Sequence, residues 1–320
     1  MSSALLSSMN LYVAHVKPCF PPRARLPFNR ALTSSLLAGT LLTGTWSIFM
    51  SAETAEASPM RQTLAGTGYA GTVKVGKCSG SLIRLPNSAA DEAALVLSNG
   101  HCLESGMPRP GDVVVGQPSE RVFELLDIEG TTIGLLHARK ISYATMTDTD
   151  IALYQLDSSY VEIKKRYGIN PLSLSSLPPS KGSSIKVVSS YWRRTYTCNI
   201  ESFAYKLHEA EWTWTNSITY TASCNTIGGT SGSPVLDRMT SEIVGVNNTS
   251  NRDGARCTLN NPCEVDRNGT VAARQGTGYG QSTYPLTRCV ATGNEIDLTL
   301  PGCELPRPAA ASVVRGRYSG

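Results

Sequence analysis

From residue 70 onward, apolar positions come in brief runs and short alternations, at 73–75, 82–85, 94–97, 113–115, 133–136 and 151–156. Each run lies close to Gly, Pro, Asn, Asp or Ser, the residues that turn a chain, so the pattern predicts short strands and an all-β barrel or sandwich. A polar stretch rich in Ser, Pro and Gly, residues 172–184, reads as a linker. A second set of strands follows at 185–191, 217–221, 234–236 and 243–246, with no internal repeat evident in the residues. This divides the chain into an N-terminal β half over 58–171, the linker at 172–184 and a C-terminal β half over 185–303, each half of ordinary domain size. The segment 304–320, with Pro306, Arg307, Pro308, Arg315 and Arg317, is expected to be a disordered tail.

The first 57 residues follow another pattern. Residues 31–50 form the one long apolar run; Arg23, Arg25 and Arg30 precede it and Ala55-Glu56-Ala57 follows it. A basic segment, an apolar stretch and an A-x-A site make a secretory signal. A run of twenty residues can also span a bilayer, but nine Ser, Thr and Gly residues dilute this one, which favours a cleaved signal over 1–57 and no lasting membrane association. The expected location is extracellular, or periplasmic if the source has an outer membrane.

Composition sharpens this picture. Hydrophobic residues are 41% and charged residues 17% of the chain, against about 25% charged in ordinary domains, which excludes disorder throughout. The 28 glycines and 18 prolines exclude a coiled coil. The net charge of +4 falls to +2 without residues 1–57, too little to make nucleic acid or an anionic membrane the main partner. Of nine cysteines, Cys19 lies in the signal, leaving Cys78, Cys102, Cys198, Cys224, Cys257, Cys263, Cys289 and Cys303. An even number in an exported chain points to four disulfides. Zinc is the rival reading, but CxxC and HxxxH spacings are absent. The spacing leaves the pairing open.

Candidate chemistry rests on few residues. Outside the signal there are three histidines, His101, His137 and His208. His137 lies in GLLHARK beside two basic residues, which disfavour the imidazolium a general base must become. His208 lies in KLHEAEW and reads as a solvated position. His101 ends the run ALVLSNGHC and precedes Cys102; a disulfide there would hold the backbone under the imidazole. In IGGTSGSPV (227–235), Gly228, Gly229 and Gly232 surround Ser231, and such a turn can aim the N–H groups of Gly229 and Ser231 at an oxyanion. Asp150 opens the apolar run DIALYQL. A serine needs a base to become a nucleophile, and a neutral imidazole needs an acceptor to hold its tautomer.

In order, CSGSLI (78–83), SNGHC (98–102), DIAL (150–153) and GTSGSP (229–234) resemble the chymotrypsin-like serine peptidases, and TIGGTSGSPV is similar to bacterial secreted members such as the glutamyl endopeptidases. The resemblance implies two six-stranded antiparallel β-barrels with a site between them. It implies His101 as general base, Asp150 as its orienting carboxylate, Ser231 as nucleophile, an oxyanion hole at Gly229 and Ser231, and a Cys78–Cys102 disulfide. Nearest-neighbour pairing is then expected for 198–224, 257–263 and 289–303. The partner would be a polypeptide, the protein a monomer, and neither cofactor nor metal is expected.

The chain departs from the family at several points. Thr230 stands where animal members carry the Asp that binds a new N-terminal amine, so activation without that step is expected. Asn225 replaces the pocket-floor Asp that selects Lys and Arg, and Asn247 stands where glutamyl endopeptidases carry a His. Asn225, Thr226, Asn247 and Ser250 together suggest a polar, uncharged substrate pocket, with the loop 251–269 on one side of it. Asn248 aligns with a Ser that bonds the acid of the triad. Two other readings compete. A binding protein on an inactive protease fold would be expected to lose one of His101, Asp150 and Ser231. An α/β-hydrolase needs G-x-S-x-G and a later His, which Ser233 and the order His101 before Ser231 do not provide.

Overall fold

The computed structural model describes residues 68–309. The expected signal, 1–57, and residues 310–320 of the expected tail lie outside them.

Six strands form the first barrel: β1 (Thr72–Val75), β2 (Cys78–Arg84), β3 (Ala93–Ser98), β4 (Val122–Leu126), β5 (Thr132–Thr145) and β6 (Ile151–Ser159). All pair antiparallel in the ring order β1-β2-β3-β6-β5-β4, which closes from β4 back to β1. The second barrel contains β7 (Ser184–Ser189), β8 (Arg194–Glu209), β9 (Trp212–Tyr220), β10 (Pro234–Asp237), β11 (Ile243–Ser250) and β12 (Gly278–Ser282). Its ring runs β7-β8-β9-β12-β11-β10 and closes from β10 to β7, the same order again. Closure leaves neither ring with a free edge. The fold is the all-β double barrel of the chymotrypsin-like proteases.

Two-residue periodicity explains why several strands read as continuous apolar runs. Leu82, Val96 and Tyr154 point into the first barrel, with Phe123 edge-on to Tyr154 at 5.1 Å. Their neighbours Ile83, Leu95, Leu97 and Leu153 point the other way and meet Val188, Leu236, Ile243 and Val246 of the second barrel. Val187, Tyr196, Ile200, Ile218, Tyr220 and Val235 fill the second barrel. The strands between the barrels are thus buried on both faces.

Four strands fell outside the apolar pattern's reach or were underestimated by it. β4 carries Glu124 in its centre, and β8 runs for 16 residues with mostly exposed or half-buried alternate positions. β12, GYGQS, is poor in apolar side chains because Tyr220 lies over it: a Cβ at Gly280 would meet the Tyr220 hydroxyl. Residues 132–145 form one long strand, whose second half also pairs with the outer strand Val113–Pro118. A short helix, Tyr160–Tyr167, begins with a capping box between Ser159 and Glu162.

The segments between and after the barrels are more firmly bound than their composition suggests. Within 172–184, Leu172 and Ser173 pair parallel with β2, and Leu174 N donates to Arg84 O at 2.9 Å. The chain after β12 returns to the first barrel: Asn294 bonds Ser88 Oγ (2.6 Å) and Ala93 O (2.9 Å), and Lys140 pairs with Glu295. The expected disorder does not begin at 304. Leu305 is buried among the residues between the barrels, and Tyr143 Oη donates to Pro306 O at 2.9 Å. Leu305, just after the Cys289–Cys303 bond, and the Pro306 carbonyl together seat this end. Among the described residues, no helix is long and apolar enough to cross a membrane.

Candidate active site

The first barrel supplies an imidazole and a carboxylate at strand ends. A single 3-10 turn, Gly100–Cys102, follows β3 and carries His101. The bond between Cys78 and Cys102 ties this turn to the start of β2. Gly100 is required by crowding: a Cβ there would lie 2.2 Å from Thr145 O. Asp150 stands just before β6 and is completely buried. A buried carboxylate needs hydrogen-bond donors, and His101 supplies two, its backbone N to Oδ1 (3.0 Å) and its ring Nδ1 to Oδ2 (2.6 Å). Burial acts to lower the His101 pKa, but the charge and hydrogen bond of Asp150, with a further contribution from Glu209, hold it above the ordinary histidine value.

The second barrel supplies a hydroxyl on a loop. Ser231 precedes β10 in a turn that the first barrel grips. Ser79 N donates to Ser231 O at 2.7 Å, and Gly232 N donates to Asn99 Oδ1 at 2.5 Å. The other end of the Asn99 amide donates to Asp150 O at 2.7 Å, so one buried side chain joins the acid to the serine loop. Gly232 has φ +77°, and a Cβ there would lie 2.0 Å from Ser79 O. The Ser231 hydroxyl donates to Asn248 O at 3.3 Å and is not hydrogen-bonded to His101. Both residues line one cleft.

The turn leaves two backbone donors open. Thr230 N donates to Ile227 O at 3.1 Å, whereas the amides of Gly229 and Ser231 on either side find no protein acceptor among the described residues. Gly229 has φ +88°, a conformation glycine adopts without strain.

The residues expected to form the substrate pocket take different places. Ser250 lines the cleft, its hydroxyl 3.5 Å from Thr226 O. Asn247 also borders it, but its amide is committed to the serine loop, donating to Thr230 O and Oγ1, both at 3.1 Å. Asn225 and Thr226 are not among the cleft-lining residues. Asn248 contributes its carbonyl, while its buried amide makes no hydrogen bond and so does not bond Asp150. Nor is the cleft uncharged. Glu209 is buried in its wall, accepting from Asn260 N at 2.7 Å, and burial raises its pKa. Arg252 reaches across to Gly228, where a Cβ would meet its Nη2 at 2.6 Å.

His137 lies exposed on β5 and His208 bonds Thr213 Oγ1 at 2.8 Å on the β8–β9 hairpin, both outside the cleft lining. Trp212 and Trp214 line it and also join the barrels, donating to Pro108 O (2.8 Å) and Met146 O (3.1 Å). All eight cysteines among the described residues are paired, as 78–102, 198–224, 257–263 and 289–303. Cys78, His101 and Cys102 bring potential metal-ligand atoms together, but both sulfurs belong to the disulfide.

A family model described as "Trypsin-like peptidase domain" matches residues 78–246. No curated protein matches. Among solved structures, the MamO protease domain of Magnetospirillum magneticum has 13% identity over 68% of this chain and 93% of its own, with a TM-score of 0.41. The active form of Rv3671c protease from M. tuberculosis has 15% identity over 68% of this chain and 78% of its own, with a TM-score of 0.40. A serine endoprotease from Yersinia pestis has 12% identity over 70% of this chain and 62% of its own, with a TM-score of 0.40.

Proposed function

The chain belongs to the trypsin-like peptidase family, and from that premise we propose that it is a secreted serine endopeptidase, released from a signal ending at Ala57. One observation carries the reading: His101, held at 2.6 Å by the buried Asp150 carboxylate, shares a cleft with Ser231. The reaction requires the Ser231 hydroxyl to leave Asn248 O and turn to Nε2 of the imidazole, the ring nitrogen that Asp150 does not hold. His101 then takes its proton as Oγ attacks the peptide carbonyl, and Asp150 holds the proton on Nδ1 and stabilises the imidazolium. The same proton passes to the leaving amine, which departs and leaves an acyl-enzyme. Water, activated by His101, then attacks the ester and releases the second product with Ser231 restored. The open amides of Gly229 and Ser231 stabilise the negative oxygen in both steps.

Thr230 supports a site that forms without a new N-terminal amine. Its carbonyl and hydroxyl accept from the Asn247 amide, and its hydroxyl donates to Ile227 O at 2.5 Å. Neutral hydrogen bonds thus brace the turn that a buried ion pair braces in the animal enzymes.

Ser231→Ala is expected to lower peptide turnover by about 10⁶-fold, and a fluorophosphonate probe to label the unaltered chain at Ser231 only. Retained turnover in the variant removes the mechanism. Absence of both turnover and labelling in the unaltered chain favours the alternative of an inactive protease-fold binding protein.

A further inference from the structure

We propose that Trp192 is a positioning residue for the oxyanion hole, acting through the peptide bond between Gly228 and Gly229; this rests on the reading of Ser231 as nucleophile. The indole Nε1 donates to Gly228 O at 2.7 Å. A trans peptide is planar, so its carbonyl and the following N–H point in opposite directions. Fixing the Gly228 carbonyl toward the indole therefore fixes the Gly229 N–H away from it, and that N–H is one of the two left without a protein acceptor beside Ser231.

The clamp is needed because of the residues it holds. The 228–229 peptide turns about one torsion of Gly228 and one of Gly229, and neither has a side chain to resist the motion. A flip would replace a donor with a carbonyl oxygen where negative charge develops in the reaction. The indole opposes the flip with a hydrogen bond, and with Tyr191 it closes off the space behind Gly229: a Cβ there would meet Trp192 Nε1 at 2.7 Å and Tyr191 Cδ1 at 2.8 Å. Tyr191 and Trp192 brace each other edge-on at 4.9 Å.

The indole is itself anchored to the nucleophile's support. Ser79 N holds Ser231 O (2.7 Å), while Ser79 Oγ accepts from Tyr191 N (3.1 Å) and bonds Ser189 Oγ (3.1 Å). Ser189 Oγ in turn accepts from Trp192 N at 3.3 Å. One residue of β2 thus sets the positions of both the serine loop and the clamp. Trp192 is 48% exposed, so burial does not account for a tryptophan there.

Two substitutions separate donor from bulk. Trp192→Phe keeps an aromatic ring and removes the N–H; Trp192→Gln removes the ring and keeps an N–H donor three bonds beyond Cβ, as in the indole. Complete loss of one oxyanion donor costs about 10²–10³-fold in kcat. Trp192→Phe, which only frees the donor to rotate, is expected to lower kcat by about 10- to 100-fold with KM within about 2-fold. Trp192→Gln should recover part of that loss. A Phe variant with unaltered kcat, or one more active than the Gln variant, overturns the proposal, the second result assigning the tryptophan to packing. Fluorophosphonate labelling of the unaltered chain at Ser231 separates such a failure from failure of the serine mechanism itself.

Discussion

In the first barrel the reacting groups stand at the ends of strands: Asp150 is the residue before β6, and His101 lies in the turn after β3. In the second barrel Ser231 sits within a loop, and β10 begins three residues later. Both barrels have the same ring order, so this difference is not one of topology. A strand-end group inherits rigidity from the sheet, and His101 and Asp150 are held within their own barrel by a disulfide, by each other and by Asn99. A loop group has to be braced from outside. Ser231 is braced by Ser79 and Asn99 of the first barrel, and its preceding residue by Asn247 of its own. Substitutions on the two sides should therefore fail differently, the first through chemistry and the second through the loop's shape.

Among substitutions that leave the nucleophile in place, the largest effect is expected in the first barrel. Asp150→Asn keeps the volume but favours the wrong imidazole tautomer, and turnover should fall by about 10⁴-fold. Because the frame does not depend on the charge, the β-sheet circular dichroism spectrum and the disulfides should be unaltered. Equal loss of fold and turnover would erase the contrast with the second barrel.

On the loop side, Gly232→Ala is expected to destabilise the protein by about 3 kcal/mol. Its φ of +77° disfavours any side chain, and the new Cβ would be driven toward Ser79 O and Ser98 Oγ, 2.0 and 2.4 Å away. Denaturant unfolding measures the loss. A variant as stable as the parent would mean that the loop can leave β2 freely, and that the first barrel does not brace it.

The same contrast governs what could be read in the residues alone. His101, Asp150 and Ser231 stood out because each ends or interrupts a motif whose chemistry demands that residue type; the apolar spacing left barrel or sandwich open, and the double barrel came from the resemblance those motifs carry. β12 was hidden because glycines under Tyr220 carry no apolar signal, and β8 because much of its length faces solvent. Asn99 lies in SNGHC itself, yet its task is to join the carbonyl of Asp150 to the amide of Gly232, residues 51 and 133 positions away. Nothing local marks such a residue. Glu209 and Arg252 reach the cleft from a hairpin tip and a loop, and only the closed fold brings them there.

The smallest expected effect uses Glu209 to test how closely the two barrels are coupled electrically. The His101 pKa is raised above 6.5: burial opposes this, Asp150 outweighs it, and Glu209 of the second barrel adds a lesser push in the same direction. The general base must be neutral, so kcat/KM should rise with pH through an inflection above 6.5. Stability has the opposite sign. The favourable imidazolium–carboxylate interaction is fully present below the unfolded histidine pKa and is lost as pH rises through the higher folded value. Glu209→Gln removes one negative charge near the ring while keeping an acceptor for Asn260 N. The inflection should move down by a fraction of the shift that Asp150→Asn produces, giving relatively more activity on the acid side. An inflection that stays in place, or moves up, would mean that the charge buried in the second barrel is not felt across the cleft, and that the imidazole is tuned by its own barrel alone.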